Sequence, residues 1–171
     1  LTMARAGAIL PVTNNAIGDQ TMLKKLITAA VFSLSASMAS AATIEIDTQH
    51  RVLMLMQDDG TTKTYRIAVG RPDEQWTGVK KITRKAEWPE WHPTAQERDE
   101  DPTLPSVVPG GPGNPLGARA LYIGGTLYRI HGTTKPKSIG HAASGGCFRM
   151  LNRDVIDLYD RVPVGTTVIV R

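Results

Sequence analysis

One thiol and one imidazole carry the chemistry this chain can offer. Cys147 is its single cysteine and stands in Ser144-Gly145-Gly146-Cys147-Phe148-Arg149-Met150, sixteen residues after His131. A lone cysteine makes no internal disulfide, so it is either a small buried hydrophobe or a working nucleophile. A free thiol titrates near 8.5, and an imidazole within hydrogen-bond reach can take its proton and later deliver it to a leaving amine. Gly145 and Gly146 leave bare backbone N–H groups beside the sulfur, where a developing oxyanion needs donors. Thiol, base and amide donors together are the minimum set for acyl transfer. The four histidines, at 50, 92, 131 and 141, show no zinc-ligand spacing with Cys147. No metal site is therefore expected.

Strand periodicity explains how these groups could meet. In Arg129-Ile130-His131 the apolar Ile130 faces a core, which turns Arg129 and His131 the other way. In Cys147-Phe148-Arg149-Met150, Phe148 and Met150 take the core side, leaving Cys147 with Arg149. If the two strands are neighbours, His131, Cys147 and an arginine share one open face.

The remaining elements read mainly as β. Thr43 to Asp47 alternates polar and apolar residues; Arg51 to Met56 and Thr62 to Val69 follow, separated by the Asp58-Asp59-Gly60 turn. Residues 70–118 read as a long irregular segment rich in Pro, Gly and charge, holding Trp76, Trp88 and Trp91 as candidate packing or binding side chains. Within it the Lys80–Lys85 cluster and the Glu97–Asp101 run read as solvated loop faces. Strands at Ala120–Gly124 and Leu127–His131 flank a Gly124-Gly125 turn, and a last strand runs over 166–170. One short helix near 152–161 is expected, with Asn152 as its N-cap and Pro163 after its end. The fold class is a compact, mainly β sandwich with that helix.

Residues 22–41 have the order of a secretory signal peptide: Lys24 and Lys25, an apolar run from Leu26 to Met38, then Ala39-Ser40-Ala41 as a cleavage site. The run is short of the about 20 residues that span a bilayer, so cleavage, not stable membrane insertion, is expected. Residues 1–21 read as sequence upstream of the start at Met22, and 42–171 as the catalytic domain. The formal charge of +4, without a basic stripe interleaved with aromatics, gives no reason to expect nucleic acid as a partner.

The blocks Ile130-His131-Gly132-Thr133, Ser138-Ile139-Gly140 and Ser144 to Met150 with Asn152 resemble the signature of the L,D-transpeptidase catalytic domain family. The likeness continues through Asp157-Leu158-Tyr159 and 162–166, and upstream in Gly111-Pro112-Gly113-Asn114-Pro115-Leu116-Gly117. It implies that Cys147 is the nucleophile and His131 the general base, with the Gly132 carbonyl orienting the imidazole. It further implies Gly146 N–H as an oxyanion donor and Ser144, Arg149 and Asn114 as substrate-binding residues. The family usually carries Ser/Thr-His-Gly-Cys, and here Gly145 replaces that second histidine; His141 lies nearby in sequence. The implied enzyme is periplasmic and needs no metal or organic cofactor. It takes peptidoglycan stem tetrapeptides, releases D-Ala through a Cys147 thioester and passes the acyl group to an amine, on another stem or an anchored envelope protein. A hydrolytic carboxypeptidase or endopeptidase with the same residues, or a non-catalytic envelope-binding module, is the alternative.

Overall fold

The computed structural model describes residues 42–171; the signal-peptide and upstream readings fall on 1–41 and lie outside the described residues. Among the described residues ten strands form in chain order: β1 (Thr43–Asp47), β2 (Val52–Met56), β3 (Thr62–Arg66), β4 (Val69–Gly70), β5 (Gly78–Glu87), β6 (Arg119–Ile123), β7 (Arg129–His131), β8 (Ala142–Ser144), β9 (Phe148–Arg149) and β10 (Thr167–Val170). Helix α1 covers Ala95–Glu100 and α2 Asn152–Arg161. Eight strands make one sheet in the order β3-β2-β1-β10-β5-β6-β7-β9, and β4 pairs with β8 in parallel beside it. The mainly β fold expected from the sequence is the fold observed.

β5 joins the two halves of the sheet. Its first residues pair with β10, Gly78 to Val170 through Lys81 to Thr167, and its later ones with β6, Ile82 to Ile123 through Glu87 to Arg119. The register shifts between Ile82 and Arg84, a bulge of the kind that lets one strand serve two sheet directions. Ile44, Leu53 and Val168 from one half meet Leu121, Ile130 and Phe148 from the other in a single core, closed by Val155 and Leu158 of α2.

Three expectations are corrected here. The lysine-rich stretch 80–85 is a strand in the middle of the sheet and not a loop; only Ile82 of β5 is fully buried, and the face that meets water takes the charge. The acidic run 97–101 lies largely on α1, started by a capping box in which Thr94 Oγ1 accepts from Glu97 N at 3.2 Å and Glu97 Oε2 accepts from Thr94 N at 2.8 Å. Asn152 is not the cap of α2: Leu151 holds that position without a side-chain bond. The Asn152 carbonyl oxygen instead accepts from the N–H groups of Ala118 at 3.1 Å and Thr133 at 3.2 Å.

A carboxylate fastens α2 to the sheet edge. Asp157 accepts from Tyr65 Oη of β3 at 2.5 Å and from Arg161 Nε at 3.0 Å, and pairs with Lys63 at 2.8 Å. Burial pushes its carboxyl up, but bonds from Lys63, Tyr65 and Arg161 outweigh this and hold it at about 2. A depressed carboxylate stabilises the fold above its unfolded pKa, and that contribution fades as pH falls toward 2. Asp157→Asn should therefore cost about 1 kcal/mol near neutrality and almost nothing near pH 2. Urea midpoints at the two pH values check it; an equal loss at both would show that charge is not the cause.

Candidate active site

Two neighbouring strands present the reactive groups. β7 runs parallel to β9, with Ile130 paired to Phe148 and His131 to Arg149. Ile130, Phe148 and Met150 are buried in the core, which turns Arg129, His131, Cys147 and Arg149 toward a groove of ≈ 690 Å³. Such a volume suits a peptide-sized ligand. The segment around α1 also lines the groove, with Trp91, Glu97 and Leu104. A second depression of ≈ 660 Å³ beside β3 and α2 holds no nucleophile, and its Asp157 is already bonded to Tyr65 and Lys63.

His131 is almost wholly buried, and its backbone is fixed by Met150 N donating to its carbonyl at 2.8 Å. Its Nδ1 lies 2.6 Å from the Gly132 carbonyl oxygen. A carbonyl only accepts, so Nδ1 carries the proton and Nε2 is the basic nitrogen. Burial pushes the imidazole down to about 4; Arg149 and Arg129 add to this, while the Gly132 and Leu116 carbonyls oppose it. The ring is thus neutral near pH 7 and able to accept a proton. Gly132 has no room for a side chain, since a Cβ there would stand 2.1 Å from Asn152 Oδ1.

Cys147 is a free, partly buried thiol. Burial pushes its pKa up, and Arg129 and then Arg149 work against that rise. The loop before it is held from three sides. Ser144 Oγ donates to the Cys147 carbonyl at 2.5 Å, Arg71 N donates to the Ser144 carbonyl at 2.9 Å, and Trp76 Nε1 donates to the Gly146 carbonyl at 3.1 Å. Trp76 in turn stacks on Tyr128, with ring centroids 5.3 Å apart. In a trans peptide C=O and N–H point in opposite directions, so the bond from Trp76 also aims the N–H of Cys147.

The residues carried over from the sequence therefore separate. Cys147, His131, Ser144 and Arg149 line the groove, with Gly132 and Gly146 holding the imidazole and the loop. Ser144 is buried with its hydroxyl turned to the Cys147 carbonyl. Asn114 is buried too: its amide donates to the carbonyls of Val108 and Pro109, each at 2.9 Å, and its oxygen accepts from Leu116 N at 2.8 Å. All its bonds are spent shaping the loop that ends beside the groove. Gly145 is exposed, with open space where a Cβ would stand, and His141 is exposed outside the groove. Sequence reasoning missed Trp76 and Tyr128 as the brace behind the Cys147 loop; three Trp residues in 70–118 were the available signal. Among the described residues no group of His, Cys, Asp and Glu is placed to hold a metal ion.

The profile of the L,D-transpeptidase catalytic domain, YkuD, matches residues 41–170. The chain belongs to that family. Among curated L,D-transpeptidases, the probable enzyme ErfK/SrfK of Salmonella typhimurium is 49% identical over 116 residues, 63% of this chain and 37% of that protein. Its counterpart in Escherichia coli K12 is 42% identical over 119 residues, 65% of this chain and again 37% of the relative. The chain thus spans little more than a third of the length of these two relatives. The putative L,D-transpeptidase YqjB of Bacillus subtilis is 34% identical over 124 residues, covering 69% of this chain and 64% of that one. In fold, the domain superposes on an L,D-transpeptidase from Mycobacterium smegmatis with a TM-score of 0.61 at 16% identity, over 76% of this chain and 58% of that one. The catalytic domain of the Enterococcus faecium L,D-transpeptidase acylated by ertapenem gives 0.59 at 21% identity, over 77% and 97%. Among the described residues of this L,D-transpeptidase domain no helix is long and apolar enough to cross a membrane.

Proposed function

We propose that this domain is a peptidoglycan L,D-transpeptidase of the periplasm that works through a thioester on Cys147. The observation that carries the reading is one groove wall holding a free thiol and a neutral imidazole whose Nδ1 is committed to Gly132 O. His131 Nε2 takes the thiol proton as Sγ attacks the carbonyl preceding the terminal D-Ala of a stem tetrapeptide. Negative charge collects on the carbonyl oxygen, where the backbone N–H groups of Gly146 and Cys147 are the available donors. The C–N bond breaks, the proton on His131 passes to the departing D-Ala amine, and the thioester remains. An amine of a second stem, or of an anchored envelope protein, then attacks the thioester; His131 takes its proton and returns it to the sulfur. Arg71 and Arg149 as well as Glu74 and Glu97 line the groove, which suits a substrate carrying both carboxylates and amines.

Carbapenem acylation tests the first half without a natural substrate. The Enterococcus faecium neighbour is described as acylated by ertapenem. Intact mass spectrometry of this protein after incubation with ertapenem should show one adduct, mapped to Cys147 and absent from Cys147→Ala. A folded protein that stays unmodified would sink the nucleophile assignment. Mass spectrometry of tetrapeptide-containing peptidoglycan fragments tests the second half. Cross-linked products identify transfer; D-Ala release without them identifies the hydrolytic alternative, and intact tetrapeptide with no product refutes both.

A further inference from the structure

Arg129 has no carboxylate partner among the described residues. Its Nε is fully buried and has no hydrogen-bond acceptor. It makes no ion pair, whereas Arg119, the other arginine with a buried unpaired Nε, meets Glu87 at 3.0 Å. Its guanidinium carbon lies 5.3 Å from the centre of the Tyr122 ring, which Arg84 also approaches, at 3.5 Å. A buried donor atom without an acceptor is costly, and such groups mark places where a ligand or a developing charge completes the site. The parallel register says which anion is at hand. With Ile130 beside Phe148, one step back along both strands sets Arg129 alongside Cys147, and both line the groove.

We propose that Arg129 is the charge partner of the Cys147 sulfur, stabilising the thiolate that His131 generates; this rests on the reading of Cys147 as the nucleophile. The S–H proton goes to His131 Nε2, and the electron pair left on sulfur faces the guanidinium. Burial pushes the thiol up, and Arg129, through its backbone and its side chain, is the foremost influence pulling it down. The other charged or titratable groups that line the groove are His131 on β7, Arg149 on β9, Arg71 and Glu74 after β4, His92 before α1, Glu97 and Glu100 on α1 with Asp101 after it, Tyr128 and Lys135. Gly145, exposed beside the thiol, brings no side chain to share the task. Arg129 lowers the energy of the charged form, so its loss moves the thiolate to higher pH.

The test is alkylation of the single cysteine by iodoacetamide, a neutral reagent, as a function of pH. The unaltered protein is compared with R129M and R129K. In R129M the midpoint should rise by about one pH unit, which leaves about tenfold less thiolate at neutral pH. R129K should recover most of that loss, since a structural role would not be rescued by charge alone. If R129M does not fold, R129Q carries the same comparison. A midpoint in the neutral variant equal to that of the wild type overturns the inference. So does a raised KM for stem peptide with an unchanged midpoint, because Arg129 would then bind a substrate carboxylate. Ertapenem adduct formation on the same samples separates the two levels. A wild type without adduct defeats the transpeptidase reading, whereas an intact adduct with an unmoved midpoint defeats only the role of Arg129.

Discussion

Replacing His131 with alanine is expected to slow acylation of Cys147 by about 10²–10⁴-fold, the usual worth of a positioned general base, while His141→Ala keeps most of the rate. The two imidazoles differ in placement more than in chemistry. His131 lies on β7, buried, with Nδ1 fixed 2.6 Å from Gly132 O and its ring in the groove wall. His141 is exposed in the connection before β8, where only its backbone is engaged, by Ser138 O at 3.1 Å and Val69 N at 3.1 Å. Single-turnover acylation by ertapenem measures both variants, with circular dichroism as the check on folding. A large loss confined to His141→Ala would move the base to that residue.

The same burial sets the pH profile. With His131 held at about 4, its neutral form persists well below neutrality, so the acid limb of the free-enzyme profile should lie near that value rather than near 6.5. The sign for stability follows from linkage. Unfolded chains protonate this residue at about 6.5, so between there and the folded value the unfolded state binds more protons and stability falls as pH falls. His131→Ala should flatten that part of the stability curve, which urea titrations at several pH values would reveal.

How far the sequence reached depends on what each element had to show. Ile130, Phe148 and Met150 alternate with the reactive residues, so the shared face of Arg129, His131, Cys147 and Arg149 could be read from periodicity. β5 could not. A strand with one fully buried side chain, Ile82, and lysines or arginines at 80, 81, 84 and 85 lacks an apolar alternation. Its place in the sheet is fixed by two neighbours distant in sequence. Helix α1 was legible in principle, because Thr94-Ala95-Gln96-Glu97 is a capping box written in residue types. Asn152 misled for the opposite reason. It is a good cap by type, but its oxygen does more for the fold between Ala118 N and Thr133 N, where it also fixes the approach of Gly117 to Gly132. The brace of Trp76 and Tyr128 behind Gly146 joins three separate segments and has no local signature.

That brace makes Gly146→Ala the most damaging conservative change in the nucleophile loop. Gly146 holds φ at +100°, a conformation that side chains rarely adopt, and a Cβ there would stand 2.3 Å from Tyr128 Cε1. The ring has no easy retreat, because it stacks on Trp76, whose indole N–H holds the Gly146 carbonyl. Relief must come from rotating the 146–147 peptide, and that turns away the Cys147 N–H proposed as an oxyanion donor. Loss of one oxyanion donor typically costs about 10²–10³ in rate, so acylation by ertapenem should fall by that order, accompanied by a lower melting temperature. Gly145→Ala is the matched control, since nothing lies within 4 Å of its Cβ position and its φ is ordinary; it should acylate at close to the wild-type rate. Trp76→Phe removes the indole donor while keeping an aromatic ring, and should fall between the two. Wild-type acylation by Gly146→Ala would show that the sulfur works without a fixed loop, and the oxyanion donors would then have to be sought elsewhere in the groove.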